Sequence, residues 1–139
     1  MPLFSEADDS ESQIATYREL GEILVAQENG EILGHVQMIP MDEPGSIEIK
    51  SIAVAESRRS QGIGTALLQG ALHHCRRQDA RLVSLATAAA SIEALKFYQR
   101  NGFRLRRVIR DFYSADRGYR PLRLNGIPLI DEVILDIEL

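Results

Sequence analysis

The chain has 139 residues, 45% of them hydrophobic, and a formal net charge of −4, which predicts one globular domain with a real core and argues against a general nucleic-acid binder. Its single cysteine excludes a disulfide framework, and its three scattered histidines lack the spacing of a structural zinc site, so we expect no metal. No segment approaches the roughly 18 consecutive apolar residues of a membrane span, and the first 20 residues lack the apolar run of a signal peptide, which predicts a cytoplasmic protein.

The charges are unevenly distributed along the chain. Residues 1–56 carry 12 acidic and 2 basic side chains, whereas residues 57–139 carry 8 acidic and 14 basic ones. The Arg-rich second part is suited to receive a small polyanion, although the same pattern also arises when two parts of a chain simply neutralise each other.

The first half of the chain predicts an antiparallel meander. A short helical pattern covers residues 14–20, after which two apolar segments at 23–26 and 32–38 flank Asn29-Gly30. This pair favours the positive φ angles of a tight hairpin turn. Residues 47–54 then begin with strict alternation of apolar and polar side chains and end apolar, which predicts the third strand of the meander.

The second half predicts helices that alternate with strands. Residues 62–77 place apolar side chains at helical spacing, and residues 82–86 form the short apolar run of a buried strand. Strand, helix and strand in this order predict a right-handed crossover between parallel strands. A second helix is expected from the N-cap Ser91 to Asn101-Gly102. The last two strands are predicted at residues 103–108 and 133–138.

The segment from Arg58 to Thr65, between a strand and a helix, has the features of a phosphate-binding loop. Gly62 and Gly64 let the backbone approach a ligand closely, and the unpaired N–H groups of the helix start favour an anion. A dinucleotide fingerprint is excluded because Leu67 stands where its third glycine is required. A Walker loop is excluded because its Gly-Lys pair is missing.

Two motifs resemble those of the GNAT superfamily of acyl-CoA-dependent N-acetyltransferases. The first is R-x-x-G-x-G at Arg59, Gly62 and Gly64, and the second is A-L-K-F-Y-Q-R-N-G-F from Ala94 to Phe103. The resemblance implies one N-acetyltransferase domain over residues 1–139, with an N-terminal strand that is short or missing. The implied fold class is α/β, with a mixed, mostly antiparallel central sheet, flanking helices, and splayed parallel strands at the acetyl-CoA cleft.

The resemblance also implies that acetyl-CoA is the cosubstrate. The backbone N–H groups of residues 61–65 are expected to bind its pyrophosphate with help from Arg59, and the strand ending Ile52-Ala53-Val54 is expected to pair with its pantetheine arm. Ser91 stands where the family often has an asparagine that contacts the pantetheine, so a shorter hydroxyl contact is expected there. The expected coenzyme-binding residues are Ile52, Ala53, Val54, Arg59, Ser60, Gln61, Gly62, Ile63, Gly64, Thr65, Ser91 and Tyr98.

Acetyl transfer needs a neutral amine, a polarised thioester carbonyl and a proton for the departing thiolate. By resemblance, Tyr98 is the expected general acid, and Glu48, four residues before Ile52, is the expected base. The backbone N–H group of Val54 is a candidate to polarise the carbonyl, since this contact needs no particular side chain. The simpler interpretations are that Tyr98 is a core aromatic on the helical face of Ala94, and that Glu48 is a solvated strand residue.

The other conspicuous residues have simpler expected roles. His73 and His74 are expected to face solvent, and Cys75 to be a buried thiol. The seven arginines from Arg104 to Arg123 either bind an anionic part of the substrate or form a solvated edge. The expected partner is a small-molecule amine acceptor, bearing an anionic group if the arginines bind it, and neither nucleic acid nor membrane. A homodimer is left open, as is the alternative function of a non-catalytic acyl-CoA-binding sensor or interaction module.

Overall fold

The computed structural model describes the backbone of residues 15–17 and the whole of residues 21–55 and 62–139. The chain divides into two compact units. The first reaches Val83 and also includes Glu138–Leu139, and the second is Ser84–Ile137. The expectation of one domain over residues 1–139 stays a prediction.

The described residues form nine strands, two α-helices and a short 3₁₀ turn. The strands are β1 (Ala15–Tyr17), β2 (Gly21–Glu28), β3 (Glu31–Pro40), β4 (Ser46–Val54), β5 (Leu82–Ala88), β6 (Arg104–Ile109), β7 (Arg123–Leu124), β8 (Ile127–Pro128) and β9 (Glu132–Glu138). The helices are α1 (Ile63–Arg77) and α2 (Ile92–Arg100), and the 3₁₀ turn is Ala115–Arg117. Neither α-helix is long and apolar enough to cross a membrane, as far as the described residues show.

In the first unit, β1 to β4 pair in sequence order, each antiparallel to the next. The β2–β3 turn at Asn29-Gly30 has φ angles of 52° and 81°, which confirms the predicted hairpin. The helical pattern of residues 14–20 is wrong for Ala15–Tyr17, which form β1 against β2. A helix this short is marginal by itself, whereas pairing with a strand edge suits Thr16 and Tyr17. The remaining residues of that segment lie outside the described ranges.

A β-bulge interrupts the pairing of β3 with β4. Gln37 lies opposite Ser51 and Met38 lies opposite Ile49, so Lys50 is the extra residue of β4. The alternation with which residues 47–54 begin is interrupted at Lys50, because an inserted residue reverses which side chains face which side of the sheet.

Helix α1 packs on one face of this sheet and supplies the core of the first unit. The side chains of Leu67 and Cys75 are fully buried. A Cβ on Gly34 of β3 would stand 2.8 Å from Leu67 Cδ1, and Cys75 Sγ lies 3.9 Å from Met38 Sδ. Burial, the largest cause, raises the pKa of the Cys75 thiol to about 11, which confirms the predicted buried thiol. Because Gly34 and Met38 face α1, the odd-numbered residues between them face away from it.

A polar cluster joins the end of α1 to β2. His74 Nε2 lies 2.5 Å from Glu22 Oε2, and Gln78 Nε2 donates a hydrogen bond to Glu22 Oε1 at 2.8 Å. The expectation that both histidines face solvent is confirmed for the exposed His73 and wrong for the half-buried His74. The physical reason is register, because Glu22 lies opposite Met38 on the face that α1 covers.

In the second unit, β9 lies between β5 and β6 and runs antiparallel to β6. Helix α2 begins after the N-cap Ser91 and ends at Arg100. Its C-cap is Asn101, and Gly102 follows with φ 95°, so the predicted helix is confirmed. The strand predicted at 103–108 lies at 104–109, and the strand predicted at 133–138 begins one residue earlier, at Glu132, and ends as predicted. The core of this unit is formed by Leu85, Ala88, Ala90, Phe103, Val133 and Leu135.

The segment between β6 and β9 carries a small hairpin of its own. β7 and β8 pair around Asn125-Gly126, whose φ angles of 55° and 74° suit a tight turn. Asn125 Nδ2 donates a hydrogen bond to the carbonyl oxygen of Ala90 at 3.1 Å. The side chain of Asn125 thereby fixes this hairpin beside the start of α2.

Candidate active site

The start of α1 is suited to bind an anion. Its N-cap is Gly62, with φ 79° and ψ 6°, a left-handed conformation that favours glycine. Gly62 has no side chain to cap the helix, and the first turn contains no acidic residue. The N–H groups of the first turn therefore receive no capping hydrogen bond from the N-cap residue, and they lie at the positive end of the helix dipole. This arrangement fits a phosphate group.

Four of the predicted phosphate-binding residues are described by the structure. Gly62 and Thr65 are exposed, whereas the side chain of Ile63 is only 1% exposed and anchors the helix start in the core. Gly64 adds no side chain between them. Arg59, Ser60 and Gln61 lie outside the described residues, so their predicted contacts stay predictions.

The predicted coenzyme strand is the end of β4. Ile52, Ala53 and Val54 lie opposite Val36, His35 and Gly34 of β3, respectively. Ala53 is exposed, and the residues on either side of it are half-buried. A pantetheine arm pairs with an extended strand, and its contact with this one stays a prediction.

Glu48 lies on the face of β4 that points away from α1. It is opposite Ile39, and Ser51 is opposite Gln37. Because Gln37 and Ile39 share one face of β3, Glu48 and Ser51 share one face of β4. Three residues apart, they would face opposite sides of a regular strand, so the bulge at Lys50 is what brings them to the same side.

His35 joins these two residues on the same face. Its Nε2 lies 3.3 Å from Ser51 Oγ, and all three side chains are half-buried. Ser51 and His35 are not predicted from the sequence, because the alternation rule places Ser51 on the face opposite Glu48. The sequence does show that a polar residue, Ser51, precedes the coenzyme strand, but this observation does not reveal a bulge.

Tyr98 lies in α2, in the second unit. Its ring packs against Phe97 and Phe103 at centroid distances of 5.3 and 5.9 Å, and its carbonyl oxygen accepts a hydrogen bond from the Phe103 N–H at 3.0 Å. Burial raises the pKa of the Tyr98 phenol, which keeps the hydroxyl protonated, as a proton donor must be. The packing fixes the orientation of the ring, and the acid role stays a prediction.

Ser91 is the N-cap of α2, but its hydroxyl makes no capping hydrogen bond. Its backbone is engaged, since the carbonyl oxygen accepts a hydrogen bond from the Leu95 N–H at 3.0 Å. The hydroxyl therefore does not cap the helix. The predicted contact with a coenzyme requires that the hydroxyl be available in this way.

Within the described ranges, no group of three or more His, Cys, Asp or Glu side chains is arranged to hold a metal ion. A depression of about 520 Å³ on the surface of α2 includes neither Tyr98 nor Ser91. Its lining residues are Ile92, Leu95, Lys96, Gln99 and Arg100.

Solved structures of acetyltransferases share this architecture. A GNAT family acetyltransferase from Elizabethkingia anophelis with acetyl-CoA bound is 34% identical, with a TM-score of 0.80 over 99% of this chain and 89% of that chain. An acetyltransferase of Bacillus subtilis in complex with CoA is 30% identical, with a TM-score of 0.81 over 99% of this chain and 91% of that chain. These similarities confirm the predicted α/β fold class of an acetyltransferase.

Sequence comparison gives the family. The model of the acetyltransferase (GNAT) family matches residues 2–103. The uncharacterized N-acetyltransferase YvbK of Bacillus subtilis (strain 168) is 33% identical over 134 residues, which cover 96% of this chain and 84% of that relative. The chain therefore belongs to the acetyltransferase (GNAT) family, and it is an enzyme of the acyl-CoA N-acyltransferase class.

Proposed function

We propose that this chain transfers the acetyl group of acetyl-CoA directly to a primary amine of a small-molecule acceptor. The observation that carries the proposal is the left-handed start of α1 at Gly62, an N-cap residue without a capping side chain, in a member of the GNAT family. Structural relatives that contain acetyl-CoA or CoA support it. The proposal treats residues 1–139 as one domain acting in the cytoplasm.

Turnover of acetyl-CoA with a panel of amines tests this proposal. We expect release of the coenzyme thiol and acetylation of at least one amine, detected by the mass of the product. Calorimetry measures acetyl-CoA binding separately. A chain that binds acetyl-CoA but does not release thiol with any amine of the panel would instead be the non-catalytic sensor.

In the proposed complex, the N–H groups of residues 61–65 bind the pyrophosphate, and Arg59 adds positive charge. The backbone of Ile52–Val54 pairs with the pantetheine arm, and the hydroxyl of Ser91 donates to one of its amides. The coenzyme supplies the acetyl group as an activated thioester. No metal takes part in this proposal.

The proposed chemistry assigns one proton-transfer role to each of two side chains. At pH 7 only about one exposed ammonium group in a thousand is neutral, so the acceptor needs a base. Glu48 takes that proton, and the N–H group of Val54 polarises the carbonyl oxygen. Tyr98 donates its phenolic proton to the departing thiolate.

Changing Glu48 to glutamine tests the base. The variant keeps the shape of the side chain but cannot accept the proton, so we expect kcat to fall about tenfold at pH 7. The loss should shrink as the pH rises, because more of the amine is then neutral without help. Thiol release measured from pH 6 to pH 10 gives this profile. The exposed Glu31, changed to glutamine, is the matched control. A constant fractional loss over this range would contradict the base role.

The arginines of the second unit support an acceptor that carries an anionic group. Arg106 is already paired with Asp136, Nε to Oδ2 at 2.6 Å, and the guanidinium of Arg117 lies 4.7 Å from the centre of the Phe112 ring. Exposed arginines of the segment besides these two are Arg104, Arg107, Arg110, Arg120 and Arg123. We propose that exposed arginines of this group bind the anion.

Competition between acceptors tests the anion. We expect amino acids and amino sugar phosphates to have a higher kcat/KM than simple polyamines. Each amino acid is compared with its own amide, which keeps the amine and removes the carboxylate charge. Polyamines that outcompete the anionic amines would show that the arginines form a solvated edge.

A further inference from the structure

The bulge at Lys50 places three polar side chains on a face of the sheet that α1 does not cover. Glu48 and Ser51 project from β4, and His35 projects from β3 beside Ser51. His35 lies directly opposite Ala53, the middle residue of the proposed coenzyme strand. Ser51 precedes that strand by one residue, so the His35–Ser51 pair is closer to it along β4 than Glu48 is.

The contact between His35 and Ser51 suits proton transfer. The distance of 3.3 Å from Nε2 to Oγ corresponds to a long hydrogen bond between two half-buried groups. In the tautomer with Nε2 unprotonated, the Ser51 hydroxyl donates to the ring and leaves its oxygen lone pairs for another donor. Histidine is the side chain that most readily takes up a proton near neutral pH.

We propose that Ser51 and His35 form a relay that removes the second proton from the acceptor nitrogen. The inference rests on the proposed acetyl transfer and extends it. An ammonium acceptor loses two protons on its way to an amide, and Glu48 accounts for the first alone. The second proton leaves after the nitrogen has bonded to the carbonyl carbon, next to the coenzyme strand where Ser51 lies.

The protons and electron pairs balance in this sequence. The ammonium gives one proton to Glu48, and the nitrogen lone pair forms a bond to the carbonyl carbon, moving the π electrons onto oxygen. The cationic nitrogen then gives its proton to Ser51 Oγ while the Ser51 proton moves to His35 Nε2. The C–S bond breaks as the carbonyl re-forms, and the thiolate takes a proton from Tyr98. Of the two protons removed from nitrogen, one restores Tyr98 through solvent and the other is released.

Among the described residues, few charged side chains lie on the strands next to His35. On β4, Glu48 lies on the same face of the sheet as His35. The exposed Lys50 is the bulge residue between Glu48 and Ser51. On β2, Val25 lies opposite His35 and Ile23 lies opposite Gln37, so neither neighbour is charged. Helix α1 lies on the other side of the sheet. Glu48 is therefore the described anion that shares this face of the sheet with His35.

The test changes each member of the relay. In His35→Gln and Ser51→Ala, we expect kcat at pH 7.5 to fall about tenfold, with the Kd of acetyl-CoA unchanged. The loss should shrink near pH 10, where hydroxide and solvent take up the nitrogen proton without the relay. His73→Gln is the matched control, because His73 is exposed on α1. Thiol release, calorimetry and thermal unfolding are measured for all variants.

The outcomes separate this inference from the proposed function. Unchanged kcat in either His35→Gln or Ser51→Ala overturns the relay, and so does a loss that is the same at every pH. If His35→Gln does not fold, the profile of Ser51→Ala decides alone, since it removes only a hydroxyl. An unmodified chain that neither binds acetyl-CoA nor acetylates an amine contradicts the proposed function itself, a result distinct from a normal enzyme with an unaffected variant.

Discussion

Replacing Gly62 with valine is expected to weaken the binding of acetyl-CoA by at least ~10²-fold. A β-branched side chain disfavours the left-handed conformation that Gly62 adopts, with φ 79°. The N–H groups that follow it would turn away from the pyrophosphate. Charge-assisted hydrogen bonds contribute about 1.5–3 kcal/mol each, so the loss of two corresponds to this fall in affinity. Calorimetry with acetyl-CoA measures it.

Gly30 provides the matched control for this experiment. It has φ 81° in the β2–β3 turn, and a Cβ there would meet nothing within 4 Å. Gly30→Val therefore imposes the same kind of backbone strain, about 1–2 kcal/mol, away from any proposed ligand contact. Both variants should unfold at lower temperature than the unmodified chain, and only Gly62→Val should lose acetyl-CoA. Equal affinity in the two variants would show that the start of α1 does not bind the pyrophosphate.

The elements that local pattern specifies are the ones the sequence predicts well. Asn29-Gly30 closes its hairpin because both residues tolerate positive φ, and α1 follows its apolar stripe from Ile63. The short segment Ala15–Tyr17 is predicted wrongly because its conformation depends on pairing with β2, a partner outside the local window. The prediction that His74 faces solvent is wrong for the same reason, since its partner Glu22 lies on another element, β2.

The candidate site is predicted in part for a related reason. Gly62 belongs to the R-x-x-G-x-G motif, and the end of β4 stands just before that motif, so both are recognisable in the sequence. The shared face of Glu48, Ser51 and His35 depends on one inserted residue at Lys50 and on the register of β3 with β4. Alternation along a single strand contains no information about a bulge, because the bulge is defined by the partner strand.

The other large effect is expected from removing the hydroxyl of Tyr98. Tyr98→Phe keeps the ring that packs against Phe97 and Phe103, so acetyl-CoA affinity and thermal stability should be retained. The thiolate then leaves without a proton donor, and we expect kcat to fall by ~10²-fold. Coenzyme thiols are fairly acidic and therefore leave readily as thiolates. With an acceptor for which another step limits the rate, the fall in kcat would be smaller.

The pH dependence of kcat distinguishes an acid from a packing residue at Tyr98. Burial disfavours the phenolate and raises the pKa of Tyr98 from its ordinary value of 10.0. The donor form is the protonated one, so kcat of the unmodified enzyme should hold through pH 10 and fall only above it. In Tyr98→Phe that fall should be absent, because no phenol remains to ionise. A Tyr98→Phe enzyme with normal kcat and the same alkaline fall would exclude Tyr98 as the acid and assign proton donation to solvent or another group.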